Sequence, residues 1–163
     1  MSSDASNIKL WTKDGFIDDS LTPEKGAALM SPEEATGKLG SGTANVLVLH
    51  AGDEAGGVAG RISEFDAVFV EFPAFSDGRG FSTARVLRDK YGFTGQIRAR
   101  GKFILDQIPL MLRVGFDHFE ISHEPTIERL ENNDLSGISL YMQPALGPEV
   151  RAGERAWARR AES

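Results

Sequence analysis

The sequence predicts an α/β fold with a mainly parallel sheet, built from consecutive βαβ units and preceded by a small N-terminal β element. Short, β-branched and apolar segments such as residues 45–50 (NVLVLH) and 67–72 (AVFVEF) have the composition of strands buried on both faces. They alternate, about every 20–25 residues, with segments of helical apolar spacing, and this alternation implies right-handed βαβ crossovers. The order of the strands does not follow from the pattern, so an open sheet and a partial barrel are both compatible with it.

Residues 1–44 form the least regular part of the chain. Apolar and polar residues alternate over residues 8–11, and Asp14-Gly15 predicts a turn before the next apolar pair, which together indicate the small β element. Ser31-Pro32 marks a helix start, because proline is favoured at the first helical position. We therefore expect a short helix near residues 32–38.

Residues 45–143 are predicted to form the βαβ core of a single domain of residues 1–163, followed by a tail, residues 144–163, that is either a surface helix or disordered. Pro109 indicates either a kink or a helix start near Asp106, which places Pro109 in the first turn. Gly92 and Gly115 follow two of the helices, where glycine is favoured. The expected strands are 45–50, 67–72, 96–100, 116–122 and 137–142, and the expected helices are 57–65, 81–91, 104–114 and 126–132.

Composition excludes several classes of protein. The chain has 163 residues, 40% of them hydrophobic, and no apolar run approaches the roughly 20 residues that cross a bilayer. The N-terminus has no pattern of an export signal, so we expect a cytoplasmic protein with no membrane partner. The absence of cysteine excludes disulfides, thiol redox catalysis and cysteine-bound metal clusters. A net charge of −6 argues against nucleic acid as a partner.

Charge is distributed unevenly along the chain. Residues 79–113 contain eight Lys or Arg residues and two acidic residues, so this segment has a net charge of +6 and the remainder has −12. The segment includes the loop SDGRGFS, residues 76–82, which directly follows a predicted buried strand. In parallel α/β sheets, ligands bind beyond the carboxyl ends of the strands. This loop is therefore the first candidate for a ligand site.

The SDGRGFS loop has the features of an anion site. Gly78 and Gly80 allow the backbone to approach a ligand, and Ser82 is placed to cap the following helix. Arg79 and Arg85 add forked donors that suit phosphate, sulfate or carboxylate. The structural alternative is a tight turn in which Arg79 is solvated or paired with Asp77. The loop matches neither a dinucleotide-binding GxGxxG nor a P-loop, and no motif for NAD or flavin is present, so the cofactor is unknown.

A second basic cluster, RARG at residues 98–101, follows the next strand. Because loops after two parallel strands open on the same side of a sheet, we expect Arg98 or Arg100 to face the same crevice as Arg79, next to Gly101. Asp106, Gln107 and Arg113 follow on the next helix as supporting residues. Asp106 and Arg113 are seven residues apart and hence on one helical face, where they either support the site or form a surface salt bridge.

The three histidines give weaker indications. His50 ends the first core strand, where a site residue is expected, and a histidine bonded to the backbone is an equal alternative. His118, His123 and the neighbouring Glu120 and Glu124 match no known spacing of metal ligands, so no metal is predicted. No Ser-His-Asp set and no GxSxG elbow is present, and the catalytic residues are unknown.

Residues 72–121 (FPAFSDGRGFSTARVLRDKYGFTGQIRARGKFILDQIPLMLRVGFDHFEI) resemble the core of a bacterial family of unknown function, number 934. Its members carry FP.F.DGRG(F/Y)S.A..LR, then G.(I/L)RA.G, DQ and R.GF(D), and the later YMQPA, residues 141–145, is also similar to the family. The characteristic family positions are Asp77, Gly78, Arg79, Gly80, Ser82, Arg85, Arg98, Gly101, Asp106, Gln107, Arg113, Gly115 and Phe116. Members often have a cysteine where this chain has Val114, which argues against a thiol mechanism here.

The resemblance implies a role in assimilatory sulfite and sulfate reduction, because family members accompany genes of that process and some are labelled oxidoreductases. Two hypotheses follow. The first is an accessory protein or oxidoreductase that binds a small oxyanion (sulfite, sulfate or phosphate) or a phosphate-bearing ligand at the two Arg/Gly-rich loops. The second is a non-catalytic adaptor whose basic segment docks on an acidic surface of a sulfite-reduction protein. A concave pocket with converging arginines favours the first, and a flat basic face with exposed apolar residues favours the second.

Overall fold

The computed structural model describes residues 7–37, 39, 41–50 and 52–135. The strands are β1 (Lys9–Thr12), β2 (Gly15–Ile17), β3 (Ala27–Met30), β4 (Ala44–Leu49), β5 (Ala67–Phe72), β6 (Gln96–Gly101) and β7 (His118–Ile121). The α-helices are α1 (Pro32–Ala35), α2 (Arg79–Asp89), α3 (Ile108–Val114) and α4 (Glu124–Glu131), and 3-10 helices span Pro23–Lys25, Ala55–Glu64 and Leu105–Gln107. The strand predicted at 137–142 and the tail lie outside the described residues.

The seven strands form one open sheet in the order β2-β1-β7-β6-β5-β4-β3. Strands β3 to β7 are parallel, and each pairs with the strand that follows it in sequence. Strand β1 is antiparallel to both of its neighbours, β2 and β7. The predicted α/β fold with a mainly parallel sheet is confirmed, and the sheet is open.

The predicted N-terminal β element is the hairpin of β1 and β2. Its turn is Lys13-Asp14, one residue before the expected Asp14-Gly15, because Gly15 already pairs with Thr12 as the first residue of β2. The hairpin is not separate from the core, because β1 extends the main sheet beside β7. Strand β3, which the sequence did not predict, forms the opposite end of the sheet and pairs with β4. Its four residues, Ala-Ala-Leu-Met, carry no β-branched side chain, so this edge strand lacks the composition that marks β4 and β5.

All the described α-helices and the long 3-10 helix contribute buried side chains to one core on a single face of the sheet, here called the helical face. This core includes Leu47, Val70, Ile97 and Phe119 from the strands. Crossovers of one hand between strands that are neighbours in both sequence and space place their helices on the same side. The opposite face, here called the open face, has a smaller core of strand residues around Phe69.

The connection between β4 and β5 was predicted as a helix at 57–65 and forms a 3-10 helix at Ala55–Glu64. Val58 and Ile62 are buried as the spacing predicted. Gly56, Gly57 and Gly60 explain the difference, because glycine lowers α-helix stability by about 1 kcal/mol per residue relative to alanine.

The starts of α1 and α3 agree with the sequence signals, whereas α1 ends at Ala35 and α2 and α4 each begin two residues before their predicted starts. Ser31 and Glu34 form a reciprocal capping box at the start of α1. Helix α3 begins at Ile108 after a 3-10 turn, so Pro109 lies in its first turn. Of the two alternatives for Pro109, the helix start is therefore correct and the kink is not. None of the helices in the described part of the chain is long and apolar enough to span a membrane.

Candidate functional site

The glycine-rich loop after β5 is closed by a clamp between Asp77 and Arg79. Asp77 Oδ1 accepts hydrogen bonds from the Arg79 backbone N–H at 3.1 Å and from Nε at 3.0 Å, while Oδ2 accepts from Nη2 at 2.7 Å. These hydrogen bonds hold the pKa of Asp77 below its usual range, and Asp77 in turn raises the pKa of Arg79. This is the paired alternative that the sequence left open. The Arg79 side chain is still 63% exposed.

The two glycines of the loop have different roles. A Cβ at Gly80 would lie 2.5 Å from the Phe72 ring, so glycine here lets α2 pack closely against β5. A Cβ at Gly78 would meet nothing within 4 Å. A Cβ at Gly52 would lie 2.9 Å from Arg79 Nη1, and Gly52 has a φ of +90°. Arg79 therefore lies against the turn that follows β4.

Ser82 does not cap helix α2, so that expectation is wrong. The helix begins at Arg79 with Gly78 as its N-cap, which places Ser82 inside the first turn. Ser82 is exposed on the wall of a shallow cavity of about 360 Å³ that also contacts Asp53 and Tyr91. Arg85 lies one turn along α2 and pairs with Asp89 at 3.1 Å on the surface.

Arg98 does not face the crevice of Arg79, and the expectation of convergence is wrong for this residue. Its side chain is 1% exposed and lies on the open face. Arg98 Nη1 contacts Asp19 Oδ2 at 2.6 Å and Glu120 Oε1 at 3.0 Å, and its guanidinium carbon lies 4.2 Å from the centre of the Phe69 ring. The physical reason is strand alternation: Ile97 and Ala99 face the helices, so Arg98 must face away from them.

Asp19 belongs to the loop after β2 and covers part of the open face. Burial acts to raise its pKa, but hydrogen bonds from Arg98 and from the Leu21 backbone N–H, with the charges of Arg98 and Lys25, outweigh burial and lower the pKa. Asp19 is thus held ionised as the outer partner of Arg98. Arg98 is therefore a structural residue of this face.

Four charged residues form one layer across the ends of the central parallel strands, here called the rim row: His50, Glu71, Arg100 and Glu120. Glu71 and Arg100 are paired residues of β5 and β6. The pairing of β4 with β5 ends at Leu49, and the pairing of β6 with β7 ends at Phe119. His50 and Glu120 are the next residues along the chain, so they lie beside Glu71 and Arg100. The register therefore brings all four side chains to the open face side by side.

Contacts within the rim row alternate in charge. His50 Nδ1 lies 2.6 Å from Glu71 Oε2, and Arg100 Nη1 lies 3.8 Å from Glu71 Oε1. Arg100 Nε donates to Glu120 Oε2 at 3.1 Å, and Glu120 also binds the buried Arg98. Exposure of the side chains falls along the row from 62% at His50 to 12% at Glu120. The row thus presents its histidine to solvent and anchors its far end in the core.

A cavity of about 510 Å³ adjoins the rim row beyond the carboxyl ends of β6 and β7. Glu120 belongs to both the cavity wall and the rim row. The other wall residues are Phe75, Gly101, Lys102, Phe103, Ile104, Leu105, Asp106, Ile121, Ser122, His123, Pro125, Thr126 and Arg129. They come from the carboxyl ends of β6 and β7, from the segments that follow β5, β6 and β7, and from helix α4. The cavity therefore lies where ligand sites are common in parallel sheets.

The predicted residues that do reach this cavity are Gly101 and Asp106, with Gln107 behind them. Gly101 has a φ of +95°, and a Cβ there would lie 2.3 Å from the Phe72 carbonyl oxygen, so only glycine fits. Gln107 accepts a hydrogen bond from the Ile104 backbone N–H at 3.0 Å and donates to the Phe75 carbonyl oxygen at 2.8 Å. Gln107 therefore ties together two of the three loops that form the cavity.

Arg113 lies half-buried on α3, and its suggested pair with Asp106 stays a prediction. The basic segment 79–113 is largely neutralised by internal contacts. Arg88, for example, donates to the carbonyl oxygens of residues 93, 95 and 115 and to Asp117 Oδ2 at 3.0 Å, which fixes the amino ends of β6 and β7. The segment is therefore less basic at the surface than its composition indicates.

The other two histidines have local partners. His118 Nδ1 lies 2.7 Å from Asp117 Oδ1, and His123 Nδ1 lies 2.9 Å from Thr126 Oγ1 on the cavity wall. Among the residues that the structure describes, no three His, Asp or Glu side chains cluster closely enough to hold a metal ion.

The family model described as "Bacterial protein of unknown function (DUF934)" matches residues 46–149, more than half of the chain. The chain belongs to the DUF934 family. No curated protein and no solved structure matches it. The matched segment contains most of β4 and all of β5 to β7, so it includes both the rim row and the cavity of this DUF934 protein.

Sequence reasoning missed Glu71 and Glu120 as a pair of site residues. Glu71 gave a signal, since it is the one charged residue in the apolar strand AVFVEF. Without the strand order, however, nothing in the sequence placed it between His50 and Arg100.

Proposed function

We propose that this DUF934 protein is an accessory protein of assimilatory sulfite and sulfate reduction that binds a phosphate-bearing ligand at the carboxyl ends of β5 to β7. The link to sulfur assimilation rests on the family resemblance of residues 72–121. The binding function rests on one structural observation, the cavity of about 510 Å³ beside the rim row. Proteins bind small molecules in cavities of about 300–1,000 Å³.

The composition of the cavity favours a ligand with an apolar ring and an anionic group over a bare anion. Phe103, Leu105, Ile121 and other apolar residues supply most of the wall, and a tetrahedral oxyanion alone has no use for such a surface. Lys102 is exposed at the mouth of the cavity, and its ammonium group suits a phosphate as a point charge. A phosphosulfate nucleotide therefore fits better than free sulfite.

The site proposed here differs from the pair of loops expected from sequence. Arg98 is committed to Asp19 and Glu120, and Arg79 to Asp77, so neither offers an uncommitted guanidinium. Arg100 is 30% exposed and donates a hydrogen bond to Glu120, which belongs to the cavity wall. It is the arginine of the predicted set that is best placed for an anionic ligand.

The adaptor hypothesis remains as a second candidate because two apolar side chains are exposed beside the cavity. Phe75 is 62% and Ile104 is 49% exposed, and Gln107 holds their loops together. Exposed apolar side chains of this size are typical of protein contacts. The adaptor is less favoured, because the basic segment that was to meet an acidic partner is mostly paired internally.

Calorimetric titration of the purified protein with adenosine phosphosulfate, sulfate, sulfite, flavins and NADPH tests the proposal. We expect binding of adenosine phosphosulfate and none of sulfite at the same concentration. Ser122→Trp fills the cavity from an exposed loop position and should abolish binding, whereas the matched Ser82→Trp at the glycine-rich loop should not.

The variants also separate the hypotheses. Loss of binding in Ser82→Trp or Arg79→Ala but not in Ser122→Trp would return the site to the SDGRGFS loop. If none of the compounds binds, the small-ligand function is wrong. Capture of sulfite-reductase components that requires Phe75 would then support the adaptor.

A further inference from the structure

We infer that His50 accepts a proton from a ligand hydroxyl, a ligand N–H or a water molecule at the rim row, with Glu71 as the positioning residue. The inference rests on the proposed function, extends the ligand from the cavity along the rim row to the end of β4, and adds a chemical step. It depends on three features of His50: its contact with Glu71, the fixed geometry of both residues, and the exposure of the imidazole.

The contact with Glu71 sets which ring nitrogen carries the proton. His50 Nδ1 lies 2.6 Å from Glu71 Oε2, and two acceptor atoms at that separation would repel each other, so Nδ1 holds the proton in the neutral ring. Nε2 then carries the lone pair. A carboxylate in this position fixes the tautomer and orients the ring.

The backbone around His50 is held in place, unlike that of an ordinary surface ion pair. The His50 N–H donates to Asp53 Oδ2 at 2.9 Å, and the Asp53 N–H donates to the His50 carbonyl oxygen at 3.0 Å. Glu71 lies on the adjacent strand and also contacts Arg100. The backbone of both partners is therefore held in place, so only their side-chain rotamers have to be ordered when the pair forms.

Nε2 is accessible to a ligand. The His50 side chain is 62% exposed, and no hydrogen bond from the described residues engages Nε2. Arg100 lies two strands away on the same face, about 10 Å from His50 at the usual strand spacing. A ligand that spans the row can therefore contact Nε2 at one end and a guanidinium at the other.

The proton transfer is balanced by residues of the row. The O–H or N–H bond of the ligand or water breaks, an N–H bond forms at Nε2, and the electron pair stays on the ligand atom as a negative charge. The positive charge on His50 is then matched by Glu71. The negative charge on the ligand is placed where Arg100 favours it, which is how an acid–base residue and a nearby cation act together.

The tautomer of His50 can be measured without any ligand, so this test is independent of the proposed function. Heteronuclear NMR of the imidazole nitrogens, with His50 assigned by its loss in His50→Gln, should show neutral His50 mainly protonated at Nδ1. In Glu71→Ala the population should shift to the Nε2-protonated form. Glu64→Ala, which removes an exposed carboxylate paired with Arg61, is the matched control and should change nothing.

The reactivity of Nε2 gives a second readout that a purely structural role would not alter. Carbethoxylation of His50 by diethyl pyrocarbonate at about pH 9, where an imidazole is neutral, is followed by mass spectrometry with His123 as internal reference. It should slow about two- to fivefold in Glu71→Ala, the factor expected from one exposed ion pair. Neutral His50 protonated at Nε2 in the unmodified protein, or equal reactivity in both variants, would overturn the inference. Failure of ligand binding with the expected tautomer would count against the proposed function instead.

Discussion

Replacement of Arg98 by methionine tests most directly whether this residue stabilises the fold or belongs to an anion site. Arg98→Met keeps most of the side-chain volume and removes the charge. It leaves Glu120, which is 12% exposed, and Asp19 without their shared partner. We expect a large loss of stability with a correctly folded protein below the unfolding transition.

The magnitude follows from the burial of the three groups. Removing one partner of a buried ion pair costs about 3–5 kcal/mol. The lower end applies here, because Asp19 is 29% exposed and Glu120 keeps its contact with Arg100. The cation–π contact with Phe69 adds about 1 kcal/mol, so the expected loss in the free energy of unfolding is about 3–4 kcal/mol. For a chain of this size that lowers Tm by about 6–16 °C.

Urea and thermal unfolding followed by circular dichroism give both quantities. Lys9→Met is the matched control, since it removes an exposed pair with Glu131, and it should change stability by less than about 1 kcal/mol. An Arg98→Met protein with unchanged stability would refute the structural account. If that same variant lost the binding of an anion, the convergence expected from sequence would be restored.

Three further predictions concern the glycines and the decrease in the free energy of unfolding at acidic pH. Gly80→Ala should destabilise the protein by about 1–3 kcal/mol although alanine favours helices more than glycine does, because the new methyl group overlaps the buried Phe72 ring. Gly78→Ala should leave the free energy of unfolding nearly unchanged, because its methyl group meets nothing within 4 Å. Urea unfolding measures both. Gly101→Ala should lower the free energy of unfolding more than Gly92→Ala does. Both glycines have a positive φ, but only a Cβ at Gly101 would overlap a carbonyl oxygen, that of Phe72. Because the folded state lowers the pKa of Asp19, its contribution is present above the unfolded pKa of about 3.9 and is lost as pH falls through the folded value. Asp19→Asn should therefore flatten the acid limb of the stability profile, and an unchanged limb would contradict this assignment.

The central strands were predictable because their physical signal is strong and local. Strand β5 has the predicted bounds, and β4 and β6 differ from prediction by one residue at their ends. The residues of β4 and β5 are largely buried on both faces, which a run of apolar side chains indicates directly, whereas apolar and polar residues alternate in β6. The short edge strand β3 gave no such signal, since its stability comes from pairing with β4 rather than from its own composition.

The candidate site was only partly predictable, because its contacts join residues far apart in sequence. Alternation along β6 puts Arg98 on the face opposite Ile97. Its partner Asp19, however, lies 79 residues away in a loop with no recognisable motif. Arg98 lies near the end of β6, but the face of the sheet on which its side chain lies decides its contacts. The rim row likewise follows from the register of four strands, which composition does not determine.

The rim row also explains why an anion, rather than a cation, suits this end of the sheet. Glu120 is already neutralised by Arg98 and Arg100, so a ligand cation near the cavity gains little from it. Arg100, by contrast, holds Glu71 only at 3.8 Å and is partly exposed. An anionic group that approaches from the cavity therefore competes with the weaker of its two contacts, while the stronger one keeps the guanidinium in place. Glu120 thus joins the two parts of the site: it buttresses the arginine of the rim row and forms the wall of the cavity where the rest of the ligand would lie.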